Sequence, residues 1–175
     1  MIHISDDITL IPLSLDDASD IFIILDGERE YMREWLPFVD HTHEAADTFK
    51  ALQGLVASEN KQFTIRHKEQ LVGLIGFKDT DFTNKRTEIG YWLSESAQGK
   101  GIMTQAVRAL LGYAFSEMNM NRVQIKTAIE NIKSSNIPKR LGFQLEGIER
   151  DGELLVDNVY TDLNVFSLLK KEFKG

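Results

Sequence analysis

Cysteine is absent from this 175-residue chain, and that one absence removes disulfides, thiolate metal sites and a cysteine nucleophile together. Any group transfer it performs is therefore direct or uses another nucleophile. Proline is scarce, three residues in all. No stretch is rich in proline, glycine or serine, so nothing marks a linker and residues 1–175 read as a single domain. Hydrophobic residues make up 42% of the chain, enough for one continuous core. Yet no segment approaches the roughly 20 apolar residues of a membrane span. No basic patch leads into a long apolar run near the start, so the expected compartment is the cytoplasm and no membrane is expected as a partner. Positive charge is also in deficit, with a net charge of -7 and a pI near 5.1. A sequence-independent grip on nucleic acid needs a basic surface, so nucleic acid drops out, while a cationic acceptor suits this balance. His41 and His43 lack a third ligand nearby in sequence, and no metal is expected.

What is present concentrates in one run. Glu88-Ile89-Gly90-Tyr91-Trp92-Leu93 is β-branched and aromatic and ends at polar Ser94. Gln98-Gly99-Lys100-Gly101 then frees the backbone, and from Ile102-Met103-Thr104 onward the pattern turns helical. Apolar side chains recur at Met103, Ala106, Val107, Leu110, Leu111 and Ala114, a 3.6-residue stripe that lays one helix face on a sheet. Strand, glycine loop and helix start point free N–H groups and a positive dipole end at whatever sits over the loop, and a phosphate is the natural occupant. The run lacks the spacing of a P-loop and the third glycine of the dinucleotide fingerprint, so ATP and NAD are excluded. Gly90, inside the strand run, marks either a bulge or a close backbone approach.

This loop resembles that of the GNAT superfamily of N-acetyltransferases, which binds the pyrophosphate of acetyl-CoA through backbone amides. A second segment supports the resemblance. Residues 122–129 alternate, with Val123, Ile125, Thr127 and Ile129 on one face. Asn131-Ile132-Lys133-Ser134-Ser135-Asn136-Ile137-Pro138-Lys139-Arg140-Leu141-Gly142-Phe143 then looks like the family's N-x-x-S segment. There the Asn and Ser side chains reach the CoA arm, which would give those roles to Asn131 and Ser134. Pro138 has no N–H, so the helix is expected to start near Ser134 or Ser135, with Pro138 close to its first turn. The resemblance implies Trp92, Leu93, Gln98, Gly99, Lys100, Gly101, Ile102, Met103, Thr104, Asn131 and Ser134 as cofactor-binding residues.

The rest of the chain fits that fold. Residues 8–13 read as a first strand, and Ser14 with Asp17 as a capping-box start for a helix with Leu15, Ala18, Ile21, Phe22 and Leu25 on one face. A second helical region covers 44–58. Strands are expected at 63–67, 71–77, 87–93, 122–129, 143–150 and 159–168. This order implies an α+β (mixed α/β) fold, a central, mostly antiparallel twisted sheet with a splayed parallel strand pair and helices on both faces.

Direct acetyl transfer needs an uncharged amine, a polarised carbonyl and a stabilised leaving thiolate. Glu88 opens the strand that would carry the thioester and shares a face with Gly90 and Trp92. Glu153 lies in a turn before the closing strand, where relatives can carry a glutamate base. The alternative for each is a solvated strand-end charge. The resemblance gives Ser134 the hydrogen bond to the departing thiolate, with Tyr160 as the competing phenol or a core residue. A backbone N–H near Trp92 or Leu93 suits the carbonyl. Residues 33–40, the 88–93 strand and the Leu145-Glu146-Gly147 and Tyr160-Thr161-Asp162 runs are similar to the RimJ/RimL-type enzymes, which acetylate N-termini of ribosomal proteins. That likeness implies Trp35 and Phe38 as acceptor-binding residues, with core anchoring as the alternative. Phe166 stands where relatives commonly have Tyr. The resulting expectation is an acetyl-CoA-dependent transferase acting on a protein N-terminal α-amine. A small polyamine or antibiotic-like amine as acceptor, and a non-catalytic acyl-CoA-binding module, are the alternatives, and a homodimer remains open.

Overall fold

The computed structural model describes residues 1–175. Its strands are β1 (Ile2–His3), β2 (Ile8–Pro12), β3 (Gln62–His67), β4 (Gln70–Asp81), β5 (Arg86–Leu93), β6 (Arg122–Ala128), β7 (Gln144–Leu154) and β8 (Tyr160–Leu169). Its helices are α1 (Ala18–Gly27), α2 (Arg29–Arg33), α3 (Ala45–Ala57), α4 (Ile102–Ser116) and α5 (Ile132–Arg140). All eight strands join one sheet in the order β1-β2-β3-β4-β5-β6-β8-β7. Every neighbouring pair is antiparallel except β5 with β6. The mixed sheet with one parallel pair is the architecture expected from the strand and helix order.

The sheet is held mainly by α4. All six stripe residues are buried, from Met103 to Ala114, and Ile102 and Phe115 join them. Each large side chain so buried contributes about 1.5–3 kcal/mol from apolar area. They belong to a core of 23 residues that includes Phe77, Ile89, Val123, Ile125 and Phe166. Phe166 is almost fully buried, so the position without a hydroxyl is a packing position. On β6 the alternation holds, with Val123, Ile125 and Thr127 buried.

A second, smaller cluster of eight residues lies under α1 and α3 and is closed by Leu71. Ser14 caps as expected, its N–H donating to Asp17 Oδ2 at 2.9 Å, although residues 15–17 form a 3-10 turn and α1 begins at Ala18. α3 starts after Glu44, as the pattern indicated. Two elements lie outside the expected set: the two-residue β1, too short for an alternation to show, and α2, whose five residues are too few for a helical stripe.

Candidate active site

The site begins where sheet pairing stops. β5 and β6 pair only at Arg86 with Arg122, Thr87 with Val123 and Glu88 with Gln124. Beyond Glu88 the strands part, although β5 continues to Leu93 and β6 to Ala128. The β6-facing backbone groups of residues 89–93 therefore have no strand partner, a state that calls for another hydrogen-bonding occupant. Gly90 is not a bulge. It pairs with Gly76 in unbroken register, and the irregularity of the β4–β5 ladder falls between Lys78 and Asp81. A Cβ at Gly90 would meet only the Lys78 side chain, at 3.7 Å, so the opening comes from the lost β5–β6 pairing.

A cleft of about 1360 Å³ opens from this gap. Single small-molecule sites usually span about 300–1,000 Å³, so the cleft has room for two reactants. One end is the glycine loop. Gly99 and Gly101 both sit at φ +73°, the left-handed region that only glycine occupies without strain. Gly101 precedes α4 and offers no side-chain cap, and the helix's first backbone bond is Gln105 N–H to the Gly101 carbonyl at 3.1 Å. The N–H groups of Ile102, Met103 and Thr104 thus lack intrahelical partners at the cleft wall. Five cationic side chains also line the cleft (Lys78, Lys126, Lys133, Arg108, Arg140), against two carboxylates, Glu95 and Glu153. Unpaired strand backbone, a free helix start and a cationic lining together fit a ligand with an amide-bearing arm and phosphates.

Most residues expected at the cofactor come together here: Trp92, Leu93, Gln98, Gly99, Gly101, Ile102, Met103, Thr104, Asn131 and Ser134 all line the cleft. Lys100 does not, and its ammonium instead donates to the Ser96 carbonyl at 3.0 Å. The Gln98 side chain is fastened by its neighbours, donating to the Tyr31 hydroxyl and accepting from Lys133 Nζ at 3.1 Å. Sequence gave no sign of Glu28. Its carboxylate accepts from Ser94 Oγ at 2.6 Å and from Glu95 N–H at 2.7 Å, tying the α1–α2 corner to the turn before the glycine loop.

α5 differs from expectation. It starts at Ile132, with Asn131 as N-cap accepting from Ser134 N–H at 3.1 Å. Pro138 therefore falls in the helix interior, where it removes the N–H that would serve the Ser134 carbonyl. The Tyr91 hydroxyl donates to that carbonyl at 3.2 Å and accepts from Ser134 Oγ at 3.3 Å. Burial pushes the Tyr91 phenol up to about 12, the Ser134 hydrogen bond acting against that shift.

The two candidate carboxylates have different settings. Glu88 is 4% exposed, paired with Lys78 Nζ at 2.7 Å and hydrogen-bonded by Gln124 Nε2 at 2.9 Å. It lines a separate polar cavity of about 160 Å³ and not the main cleft. Glu153 lines both and carries no salt bridge, the nine ion pairs of the molecule all lying elsewhere. Glu153 sits in β7, paired with Thr161, and not in the expected turn, and the residue remains exposed. Partial desolvation in the cleft raises its carboxyl above the usual range, with Lys78 pulling down and Glu88 pushing up. Tyr160 is 61% exposed and outside the cleft lining, so the structure leaves it neither a core role nor a place at the reacting centre.

The opposite wall comes from the α1–α3 segment. Trp35 and Phe38 line it with Leu25, Leu36, Leu52 and Leu55, and Phe38 remains 47% exposed. Within this apolar wall Thr48 is buried and its hydroxyl has no hydrogen-bond partner. A buried unpaired hydroxyl costs roughly 1–3 kcal/mol. No group of three or more His, Asp or Glu side chains is arranged to hold a metal.

Sheet, splay and cleft define a group-transfer domain that seats an anionic donor against a second reactant. Residues 7–144 match the model of the acetyltransferase (GNAT) domain. A Bacillus subtilis (strain 168) protein with the provisional name ribosomal N-acetyltransferase YdaF is 34% identical over 98% of this chain and 96% of its own length. The ribosomal-protein-serine acetyltransferase of Escherichia coli (strain K12) is 31% identical over 95% of this chain and 94% of its own. Among solved structures, RimL, a ribosomal L7/L12 alpha-N-protein acetyltransferase in complex with coenzyme A, superposes with a TM-score of 0.90 at 26% identity, covering 96% of this chain and 97% of that one. The chain belongs to the GNAT acetyltransferase family, and its similarity runs to the ribosomal-protein acetyltransferases within it.

Proposed function

We propose that this protein transfers an acetyl group from acetyl-CoA directly to the N-terminal α-amine of a protein, a ribosomal one by the names of its relatives. The observation that carries this reading is the cleft itself. One end offers unpaired strand backbone and a glycine-framed helix start, the other an apolar wall, and one raised carboxylate, Glu153, lines the same cleft. Bound acetyl-CoA supplies the activated acyl carbon and a thiolate leaving group.

Glu153 takes the proton that the amine loses as its nitrogen bonds to the acyl carbon and the carbon–sulfur bond breaks. An α-amine near pKa 7.7–8.0 is about a tenth free base at pH 7, whereas lysine near 10.4 leaves less than about a thousandth. A modest carboxylate base is therefore enough for a terminus and too weak a match for a lysine. Glu88 supports Glu153 electrostatically from the adjoining cavity. The free N–H groups of the β5 edge near Trp92 and Leu93 hold the acyl oxygen, and Ser134 donates to the departing sulfur.

A polyamine is the competing acceptor, and because the cations of the lining suit the phosphates of acetyl-CoA, turnover and not net charge separates the two. The name of one relative, a ribosomal-protein-serine acetyltransferase, favours serine as the first residue. The test measures thiol release from acetyl-CoA with peptides beginning in Ser, Thr or Ala, with acetyl-blocked peptides and with spermidine. Ser-initiated peptides are expected to react fastest. Faster turnover of spermidine than of every peptide would overturn the N-terminal reading. Coenzyme A binding without any amine-dependent thiol release would reduce the protein to an acyl-CoA-binding module.

A further inference from the structure

Pro138 breaks a rule of helix construction, and Tyr91 repairs the break. A proline inside a helix leaves the carbonyl four residues earlier without its donor and costs about 3 kcal/mol. Here that carbonyl belongs to Ser134, the residue whose hydroxyl faces the cleft. The replacement donor comes from β5, across the cleft, as the Tyr91 phenol at 3.2 Å. A phenol has one proton. With it committed to the carbonyl, the same oxygen can only accept from Ser134 Oγ, as it does at 3.3 Å. The neighbouring Ser135 is fixed separately, its Oγ 2.7 Å from Thr127 Oγ1 on β6. α5 thus carries two serines with different partners, one on the sheet and one on a phenol.

We propose that Tyr91 is the positioning residue for Ser134, and that Pro138 exists in α5 to hold the phenol there. The phenol is a two-position donor. At rest its O–H serves the Ser134 carbonyl. When negative charge forms on a sulfur within reach of Ser134, the serine O–H turns to the sulfur and the Tyr91 O–H swings to the serine oxygen. The result is a chain of two hydrogen bonds, Tyr91 to Ser134 to thiolate, in which no covalent bond changes. The raised phenol keeps its proton throughout the neutral range, as the chain requires. An ordinary α5, with alanine at 138, would satisfy its own carbonyl and give the phenol no fixed rest position.

The inference rests on the acetyl-CoA reading, and its test separates the two. Coenzyme A affinity is measured by calorimetry between pH 7 and 9.5 for the wild type and for Tyr91→Phe, Ser134→Ala, Ser135→Ala and Tyr91→Phe/Ser134→Ala. The wild type is expected to bind the thiolate about tenfold better than the thiol, the scale of one charge-assisted hydrogen bond. Its affinity then rises with pH. Tyr91→Phe and Ser134→Ala are each expected to lose most of that rise, the double variant no more than Ser134→Ala alone, and Ser135→Ala none. Lys78 on β4, Glu95 before the glycine loop, Arg108 on α4, Lys126 on β6, Lys133 and Arg140 on α5 and Glu153 on β7, the charged groups that share the cleft, are common to every variant. No coenzyme A binding by the wild type sinks the acetyl-CoA reading and this inference with it. Binding whose pH dependence survives Tyr91→Phe sinks the role of Tyr91 alone.

A second readout excludes simple bracing. Tyr91→Phe is expected to lower kcat about tenfold with little change in peptide KM, the scale of one hydrogen bond to a charged group. Adding Pro138→Ala is expected to return lost thermal stability, since the helix regains its own donor, without returning kcat. Recovery of kcat together with Tm would make Tyr91 a brace and overturn the proposal.

Discussion

The two ends of the cleft are built from different materials. The cofactor end is main chain: an unpaired strand edge, two glycines at positive φ and a helix start, set on a core of 23 buried residues. The acceptor end is side chain: Trp35, Phe38, Thr48 and their neighbours, backed by a cluster of eight. Main-chain recognition constrains which residues can occupy a few consecutive positions, so it leaves a local pattern. Side-chain recognition draws single residues from distant segments, so it leaves none. The same contrast predicts that the cofactor end tolerates exchange of its side chains, whereas each acceptor-side exchange alters what can enter.

The largest expected break lies between the two ends. Glu153→Gln removes the proposed base and is expected to lower kcat with a Ser-initiated peptide about a hundredfold at pH 7, with coenzyme A affinity unchanged. The loss shrinks toward pH 9, where the amine is largely free base. In the wild type, kcat is expected to rise with pH through a midpoint above the ordinary carboxylate value, since Glu153 must be ionised to act and partial desolvation favours its protonated form. A Glu153→Gln variant that keeps this acid limb would remove the carboxylate from the chemistry.

Next in size is Gly101→Val, a test of the main-chain end. The added Cβ meets nothing closer than Gln105 Nε2 at 3.8 Å, so the penalty comes from φ +73° and not from crowding. Coenzyme A affinity is expected to fall roughly tenfold to a hundredfold, while Lys100→Ala, at a side chain turned out of the cleft, is expected to change it less than about twofold. Equal losses at both would mean that side chains matter here after all.

Leu52→Ala tests the smaller core. Leu52 is 2% exposed, and its truncation is expected to cost about 2–5 kcal/mol. With only eight residues in the cluster, chemical denaturation of this variant should be accompanied by a raised peptide KM before coenzyme A affinity declines. The smallest effect belongs to Glu88→Gln. Removing a charge that pushes the Glu153 carboxyl up should move the acid limb of kcat to lower pH. A limb that stays in place would detach Glu88 from the site.

Legibility followed the same divide. The strand, loop and helix from Glu88 to Thr104 could be read because turn geometry and helical period act over neighbouring residues, and β6 because burial alternates along it. Glu28, Thr48 and Tyr91 could not be placed in the site. Their roles depend on contacts 43 or more residues away, as with Tyr91 and Ser134 or Glu28 and Ser94, or on a missing partner, as with Thr48. One signal for Tyr91 was available. Proline four residues after Ser134 announces an open carbonyl once the helix is known to start at Ile132, and a start two or three residues later, at Ser134 or Ser135, conceals it. At Gly90 the bulge alternative fails for the opposite reason, since a glycine in a strand run suggests local irregularity and here the ladder is regular.

The parting of β5 from β6 has a consequence for how this protein behaves in a crowded cell. An unpaired strand edge on an outer surface is an invitation to other chains, and proteins blunt such edges with charge or bulges. This one lies in the middle of an eight-stranded sheet, between two strands still joined at their base. The unpaired groups therefore face an interior cleft and not the outer border of the sheet, where strand-to-strand aggregation begins.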